Sequence, residues 1–354
     1  MSQFLVLSHI EVQNANSIAG LTWGFPAITG FLGFTHALNR TISNQFNGDY
    51  ECEFLGCAVI SHSYQNKVYQ PKRHADYEFL QSKNPPVLPN HKNSSPPIIE
   101  EGKMNLTVSL IIELKSPLAL TVDLIKKFEK TVLAHCYKQR LAGGTILNIK
   151  QAKLLSANTQ QQHVDMLRKI KRLTIPGFVL LDRSNYLQQH YQSLLEQPAS
   201  ESTESPQLFD AWLDFCALKS KAIPKLTDGQ TEPNEKTPAD WQYVPKPKPG
   251  YLVPLMTGYK AISDVYAAGE VANTRDETTP ACFVETIHSV GEWRGVHSLD
   301  SIEQVIWRYA HDGQWYLCKQ NQSKIIDKDK NVLPENSNDE LLQTLNFNDA
   351  LNLF

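Results

Sequence analysis

Two neighbouring stretches decide the fold: FLVLSHIEV at residues 4–12 and ITGFLGFTHAL at residues 28–38. The first is an apolar, β-branched run of the kind that forms a core strand. In the second, Phe31, Phe34 and Leu38 recur at helical spacing, which predicts a helix directly after that strand. The chain therefore begins with a β-α unit.

Four further segments extend this pattern. Residues 54–60 and 106–114 are apolar and strand-like, residues 124–136 repeat apolar side chains at helical spacing, and residues 145–149 return to strand character. The resulting order, βαββαβ, is that of the ferredoxin-like split unit, which the RNA-recognition motif shares. In this fold the helices cover one face of the sheet, so we expect the other face to be free for a ligand.

We predict an α+β protein in two parts: a ferredoxin-like domain over residues 1–155 and a mixed helical and β second half over residues 156–354. The first part contains a long basic and proline-containing insertion at residues 64–102, which is typical of either a functional or a disordered loop. The second half contains a proline-rich arm at residues 224–250, predicted to be extended and not part of a core. An acidic tail at residues 323–354 is predicted to be a solvated surface segment.

Two segments of the second half have a clear pattern. A helix is predicted to begin at residues 205–206, and Asp312-Gly313 between strand-like runs predicts a hairpin. The inner side of the helix is predicted to carry Leu208, Phe209, Trp212, Leu213 and Cys216. We expect apolar surface for a larger partner around this helix and the hairpin, with ordinary core as the alternative. The side chains expected to form that surface are Leu208, Trp212, Leu213, Trp307, Tyr309 and Trp315.

The composition narrows the class of protein. With 354 residues, of which 41% are hydrophobic and 20% charged, the chain can bury a sizeable core. A net charge of -3 removes the argument for nucleic acid from overall basicity, so any RNA or DNA site must be a local patch. The six cysteines contain no CxxC pair, so we expect buried, reduced thiols and neither a zinc ribbon nor a disulfide framework.

The location of the protein is predicted from two features that the sequence lacks. No apolar run reaches the ~18 to 20 residues needed to cross a bilayer. The N-terminus has neither the basic residues nor the cleavage site of a secretory signal. We therefore expect a cytoplasmic protein that does not contact a membrane.

Common catalytic signatures are missing from the sequence: GxxxxGK[ST], HExxH, GxSxG and GxGxxG. We therefore expect neither nucleotide hydrolysis nor metalloprotease chemistry, and no cofactor and no metal site. His36, on the first predicted helix, has the chemistry of a ribonuclease base. The alternatives are a structural hydrogen bond or a contact with a ligand phosphate.

The residues between the first strand and the first helix have the composition of an RNA-binding loop. Asn14 and Asn16 offer hydrogen-bond donors and acceptors at a strand end, and Trp23 and Phe25 offer flat faces for stacking on bases. Glycines nearby allow a close approach of the backbone beside a helix N-terminus. The alternative is that both rings are only lids on the core.

A second patch pairs arginine with an aromatic side chain. Arg275 is followed by Trp293 and Arg294, and the insertion contributes Arg73. Arginine can bridge phosphate oxygens and stack on a base, so we assign these residues to RNA binding together with His36. The alternative for Arg275 is a salt bridge with its neighbour.

Short motifs in a fixed order give the chain a family resemblance. They are QNAN (13–16), LTWGFP (21–26), GFxGFxHAL (30–38), GGT (143–145), IPGF (175–178), GYLVP (250–254), FVE (283–285), GEW (291–293) and WRY (307–309). Together they resemble the family of the second subunit of the type I-F CRISPR surveillance complex, the Csy or Cascade complex. That family is regarded as a Cas-five-type member of the RAMP superfamily.

The resemblance implies a function as well as a fold. It implies a RAMP-type ferredoxin-like domain with a protruding thumb, which we assign to residues 64–102. It implies a heterodimer with the large subunit of the complex, assembly with its backbone subunit, and a grip on the 5′ handle of CRISPR RNA. Target double-stranded DNA would be reached through the assembly, in antiviral defence and without catalysis by this subunit. The alternatives are a RAMP endoribonuclease that processes repeat RNA and a scaffold that binds only protein.

Overall fold

The computed structural model describes residues 2–45, 52–80, 82–83, 98–99, 102–196, 205–225, 233, 237–274 and 276–320. Within these residues the chain is a mixed α+β protein with one large antiparallel sheet and five α-helices. Part of the insertion predicted at residues 64–102 and of the arm predicted at residues 224–250 lies outside the described residues. The whole acidic tail at residues 323–354 lies outside them too.

The first half alternates strands and helices as the sequence predicts. Its elements are β1 (Ser2–Asn16), β2 (Ile18–Ala19), β3 (Thr22–Trp23), α1 (Ile28–Gln45), β4 (Phe54–Asn66), β5 (Val68–Tyr69), β6 (Glu78–Phe79), β7 (Ser82–Lys83), β8 (Ile98–Ile99), β9 (Lys103–Leu114), α2 (Val122–Cys136), β10 (Arg140–Leu141) and β11 (Gly144–Ala157). The long strands β1, β4, β9 and β11 lie side by side in the order β11-β1-β9-β4.

The second half adds three helices and the remaining strands. Its elements are α3 (Gln160–Thr174), β12 (Phe178–Asp182), α4 (Ser184–Leu195), α5 (Leu208–Cys216), β13 (Lys219–Pro224), β14 (Ala239–Val244), β15 (Tyr251–Ala261), β16 (Val284–Gly295), β17 (Trp307–Asp312) and β18 (Trp315–Gln320). Two short 3-10 turns, Val296–Ser298 and Glu303–Val305, precede β17. No helix in the described ranges is long and apolar enough to cross a membrane.

The large sheet joins both halves of the chain. Its ten strands follow the order β10-β11-β1-β9-β4-β12-β16-β15-β18-β17. One edge of β4 pairs with β9, and the other pairs with β12 at Ile60 and Ser61 and with β17 at Gly56 and Cys57. The six strands from β4 to β17 therefore close into a hydrogen-bonded ring. An added Cβ at Gly56 would lie 2.0 Å from the Trp307 carbonyl oxygen, so this closure requires glycine.

The main core lies between the sheet and helices α1 and α2. Leu5 and Leu7 of β1 pack with Phe31 and Leu38 of α1 and with Val132 of α2. The apolar spacing that predicted α1 and α2 is therefore the face that each helix buries.

Helix α3 covers part of the opposite face of the sheet. Its apolar stripe, which includes Met166 and Ile170, packs on Phe4, Ile60 and Val179. The expectation that this whole face is free is therefore wrong where α3 lies, because α3 is amphipathic and needs an apolar surface to bury its stripe.

Helices α4 and α5 form a smaller core with β15 and β16. Leu187 of α4 packs with Ala211 and Phe215 of α5 and with Val290 of β16. The prediction for the inner side of α5 is thus wrong in part. Because the residues that face the strands are Ala211 and Phe215, one turn apart, Phe209 is exposed.

The predicted hairpin around Asp312-Gly313 is confirmed as β17 and β18. Trp307, however, is completely buried where β17 pairs with β4, and its indole N–H donates to the Leu180 carbonyl at 3.1 Å. Its interpretation as a partner surface is therefore wrong, and the alternative of ordinary core is correct. Tyr309 and Trp315 are partly buried.

The proline-rich arm has regular structure where the chain is described. Strands β13 and β14 pair as a two-stranded ribbon, and β14 is exposed along its whole length. The expectation that this arm is outside the core fits that exposure.

All six cysteines are free thiols. Cys52, Cys57, Cys136 and Cys318 are buried, as expected. The expectation is wrong for Cys282, which is exposed because it lies between β15 and β16, outside every core.

Candidate nucleic-acid interface

The end of β1 carries the two predicted asparagines. Asn14 adopts a positive φ of 58°, at an irregularity in the pairing of β1 with β9. Its backbone N–H donates to Asn105 Oδ1 at 3.2 Å, and its side-chain oxygen accepts from Lys67 Nζ. Asn14 is exposed, so its amide can meet a ligand beside the lysine.

Asn16 shapes the loop that follows β1. Its Oδ1 accepts from the Ile18 backbone N–H at 3.2 Å, and its Nδ2 lies 3.3 Å from the Ile18 carbonyl. Its own backbone N–H donates to the Ala142 carbonyl at 2.8 Å. These bonds hold a turn of the type that asparagine favours, so Asn16 positions the loop as well as lining it.

Trp23 lies at the far end of this loop with 38% of its surface exposed. Its ring contacts Phe79 of β6, with centroids 4.6 Å apart and planes tilted by 50°. Phe79 belongs to the segment predicted as a thumb. The structure therefore brings the loop and the base of this insertion together while the indole stays accessible.

Phe25 and Trp293, which the sequence places in separate patches, are in contact. The edge of one ring meets the face of the other at a centroid distance of 4.7 Å and an angle of 80°. Phe25 also stacks on Phe31 of α1 at 5.5 Å. Both rings are partly buried against the main core, so the lid interpretation accounts for much of their surface. The two rings therefore hold the loop against the core, and only part of their surface is accessible to a ligand.

Four predicted residues supply positive or titratable groups. Arg73, Arg294 and His36 are exposed, and within the described part of the chain none of their side chains forms a hydrogen bond or an ion pair. Their side chains are therefore available to an anion. Arg275 lies outside the described residues.

His288 of β16 is a residue of this site that the sequence does not reveal. Its Nε2 lies 3.2 Å from the Leu21 backbone N and 3.3 Å from the Ala19 carbonyl oxygen. An added Cβ at Gly20 would come within 2.6 Å of the imidazole, and Gly20 has a φ of +62°, so the loop needs glycine there. Burial lowers the pKa of His288, which keeps the ring neutral. No local pattern points to a contact between residues so distant in sequence.

A histidine pair lies on the open part of the sheet, beyond α3. The rings of His9 and His62 stack with centroids 4.0 Å apart and planes within 10°. His62 Nδ1 lies 2.5 Å from the Pro176 carbonyl, so it carries the proton, and Nε2 accepts from the Ser109 hydroxyl at 2.6 Å. Ser109 is fully buried, so this contact between a serine and a histidine is structural and does not form an accessible nucleophile.

The described residues place no group of three or more His, Cys, Asp or Glu side chains where they could hold a metal ion. Fold and site together define a mixed α+β protein whose accessible loop combines amides and a partly exposed indole, while the unpaired Arg73 and Arg294 lie on the insertion and on β16. This combination suits the recognition of unpaired bases and phosphates.

Comparison with known proteins identifies the family. The model of the family "CRISPR-associated protein (Cas_Csy2)" matches residues 5–318. The "CRISPR-associated protein Csy2" of Pseudomonas aeruginosa (strain UCBPP-PA14) is 32% identical over 316 residues, which cover 87% of this chain and 91% of that relative. The chain belongs to the Csy2 family. It is thus a subunit of the type I-F CRISPR Csy complex.

Proposed function

We propose that the protein holds the 5′ handle of CRISPR RNA as a non-catalytic subunit of this complex. The observation that carries the proposal is the contact between Phe25 and Trp293, which joins two patches from opposite ends of the chain. The joined patches leave Trp23 partly exposed and Arg294 unpaired. Asn14 and Asn16 offer amides for base edges, while Arg73, Arg275 and His36 are assigned to phosphates.

A ferredoxin-like fold of the RAMP type is proposed for the first part of the chain. The strand order β11-β1-β9-β4, with α1 after β1 and α2 after β9, supports it. The predicted boundary at residue 155 falls within β11, so we propose two structural parts that share one sheet. The insertion at residues 64–102 is proposed as the thumb, with β5 and β6 at its base.

Partners of the chain follow from its membership of the complex. We propose a heterodimer with the large subunit, contact with the backbone subunit, and access to target double-stranded DNA through the assembly. Exposed apolar side chains at the far end of β15 and β16 support a protein contact there; they are Ile262, Val265, Phe283 and Val284. The proposed setting is the cytoplasm, with no cofactor and no metal.

Handle binding can be tested with Trp23→Ala in the chain copurified with its large subunit. We expect weaker binding of handle RNA by about 1 to 3 kcal/mol, because a base loses its stacking surface. Arg294→Ala should weaken the binding of handle and scrambled RNA alike. It should also lower the slope of log affinity against log salt concentration by about one. Fluorescence anisotropy over a salt series measures both effects.

The matched control is Leu21→Ala, which removes an exposed apolar side chain from the same loop without removing a ring. We expect this variant to keep wild-type affinity. If Trp23→Ala also keeps it, the loop does not read the handle. Incubation of the wild-type protein with repeat RNA, alongside His36→Ala, addresses the ribonuclease alternative. Cleavage that the variant abolishes would contradict the proposed absence of catalysis.

A further inference from the structure

The ribbon of β13 and β14 has two chemically different faces. Ala222 pairs with Trp241 and Ser220 pairs with Tyr243, so both rings lie on one face, opposite only small side chains. Trp241 is 75% exposed and Tyr243 is 56% exposed. Nothing in the described ranges stacks on either ring, so their flat faces are open to a ligand.

The other face and the base of the ribbon are basic. Residues 219–225 and 237–250 contain five lysines and a single aspartate, in a chain whose net charge is -3. Lys219 and Lys225 form ion pairs with Asp214 and Asp240. Lys221 lies on the face opposite the rings and forms no ion pair within the described part of the chain. A basic segment that carries exposed rings has the two properties of a platform for single-stranded nucleic acid.

The base of the ribbon is fixed to the body of the protein. Lys219 and His190 both contact the carboxylate of Asp214, the histidine at 2.7 Å, which ties β13 to α4 and α5. Burial raises the pKa of Asp214, but its bonds to Lys219 and His190 outweigh burial and hold the pKa below its usual range. The carboxylate is therefore charged at neutral pH. The rings project from an anchored base.

The spacing of the rings suits bases. Side chains two residues apart on a strand begin about 6.6 Å apart, roughly twice the 3.4 Å spacing of bases along a strand. Stacking on a ring is tolerant of sequence, because every base has a π-face. The ring face offers no side-chain amide or arginine that could read a base edge.

This chemistry distinguishes among the strands that an RNA-guided complex handles. A handle of fixed sequence needs groups that read base edges, which this face lacks. The variable part of the guide must pair its bases with target DNA, and stacking them on protein rings would remove them from that duplex. The displaced DNA strand has arbitrary sequence, so it needs no group that reads base edges. Its bases are unpaired, so they are free to stack on the rings.

We propose that the ribbon of β13 and β14 is a stacking platform for single-stranded DNA, the strand displaced from a target duplex. Trp241 and Tyr243 take up bases, and the positive charge of Lys221, on the other face, attracts the phosphate backbone from a distance. The inference rests on the proposed function, since an RNA-guided complex is what displaces such a strand.

The test uses Trp241→Ala with Tyr243→Ala in the full chain, with labelled oligo(dT), oligo(dA), oligo(U) and handle RNA as probes. We expect the double variant to bind both DNA oligomers at least about tenfold more weakly, because each ring contributes about fivefold or more. Handle RNA should bind as tightly as to wild type. Lys221→Gln should weaken DNA binding less than the loss of either ring, and mainly at low salt, because its charge acts from the other face of the ribbon. Phe178→Ala, which removes from β12 a ring that is 56% exposed, as that of Tyr243 is, is the matched control and should change nothing.

The assembled complex gives a second measurement. Permanganate oxidises unstacked thymines, so the displaced strand of a bound target should become more reactive in the double variant than in wild type. Unchanged DNA affinity or unchanged reactivity would overturn the inference. So would a larger loss for oligo(U), which indicates an RNA contact, or a loss of copurifying large subunit, which indicates a protein contact. If wild type itself fails to hold handle RNA, the proposed function fails, and the inference fails with it.

Discussion

His9 and His62 stack face to face, and both imidazoles are neutral in the folded protein. Burial lowers the pKa of His9, and His62 and Lys150 lower it further. Burial also lowers the pKa of His62, with Lys150 adding to the effect, although the bond to the Pro176 carbonyl opposes it. Ser109, fully buried, donates to His62 and takes the remaining place around the pair. A proton added to His62 Nε2 would break the hydrogen bond that this nitrogen accepts from the Ser109 hydroxyl.

The pair predicts that stability falls in acid. Both folded-state pKa values lie below the ordinary histidine value of 6.5, so below about pH 6.5 the unfolded chain binds more protons than the folded one. The contribution is therefore complete above that pH and is lost as pH falls through the folded-state pKa values. Denaturant unfolding at a series of pH values measures this slope.

A matched pair of variants isolates the effect. His9→Asn removes one titrating ring and keeps a residue that tolerates the positive φ of 51° at this position. We expect it to flatten the pH dependence of unfolding between neutral and acidic pH. His36→Asn makes the same substitution on the exposed face of α1, away from the stacked pair, and is the matched control. Equal slopes in wild type and His9→Asn would contradict the assignment.

At the scale of elements, β4 holds the sheet together because it pairs with β12 and β17 along one edge. Gly56 makes the second pairing possible. We expect Gly56→Ala to lower the free energy of unfolding by about 1 to 3 kcal/mol or more, because its Cβ would overlap the Trp307 carbonyl. Denaturant unfolding again provides the measurement.

Gly33→Ala is the control for that substitution. Gly33 lies within α1, and an added Cβ there meets nothing within 4 Å. We expect this variant to be neutral or more stable by about 0.5 to 1 kcal/mol, since alanine favours helix over glycine. If both variants behave alike, the closure of the ring at Gly56 is not under steric control.

The elements that the sequence predicted are those with local causes. The helical spacing of Phe31, Phe34 and Leu38 and the turn at Asp312-Gly313 act over a few residues, so they can be recognised in one sequence. The pairing of β4 with β17 joins distant segments, and it is why Trp307 is buried and not exposed. Helix α3 covers part of the sheet for the same reason, since its partner surface comes from β1, β4 and β12.

The candidate site shows the same division. Residue types suited to RNA were visible in Asn14, Asn16 and Trp23, because composition alone reveals amides and rings. The contact of Phe25 with Trp293 and the bond of His288 to the loop depend on how β16 reaches the end of β1, which a single sequence does not encode locally.

At the scale of the whole molecule, the two halves of the chain build one sheet and one loop site. The family match extends over residues 5–318 and so includes both halves. The loop after β1 comes from the first half, whereas Trp293, Arg294 and His288 come from the second. A site divided in this way requires the complete fold, so we expect neither half alone to hold the handle.

The most direct test of RNA binding at this site is photo-crosslinking of handle RNA in the assembled complex, with 4-thiouridine at each uridine in turn and mass spectrometry of the linked peptides. Our account predicts that the linked peptides contain residues 13–26 and 291–295, and that Trp23→Ala lowers the yield in the first of them. Links confined to other surfaces, or a yield in this chain no higher than with scrambled RNA, would contradict the assignment of the handle to this loop.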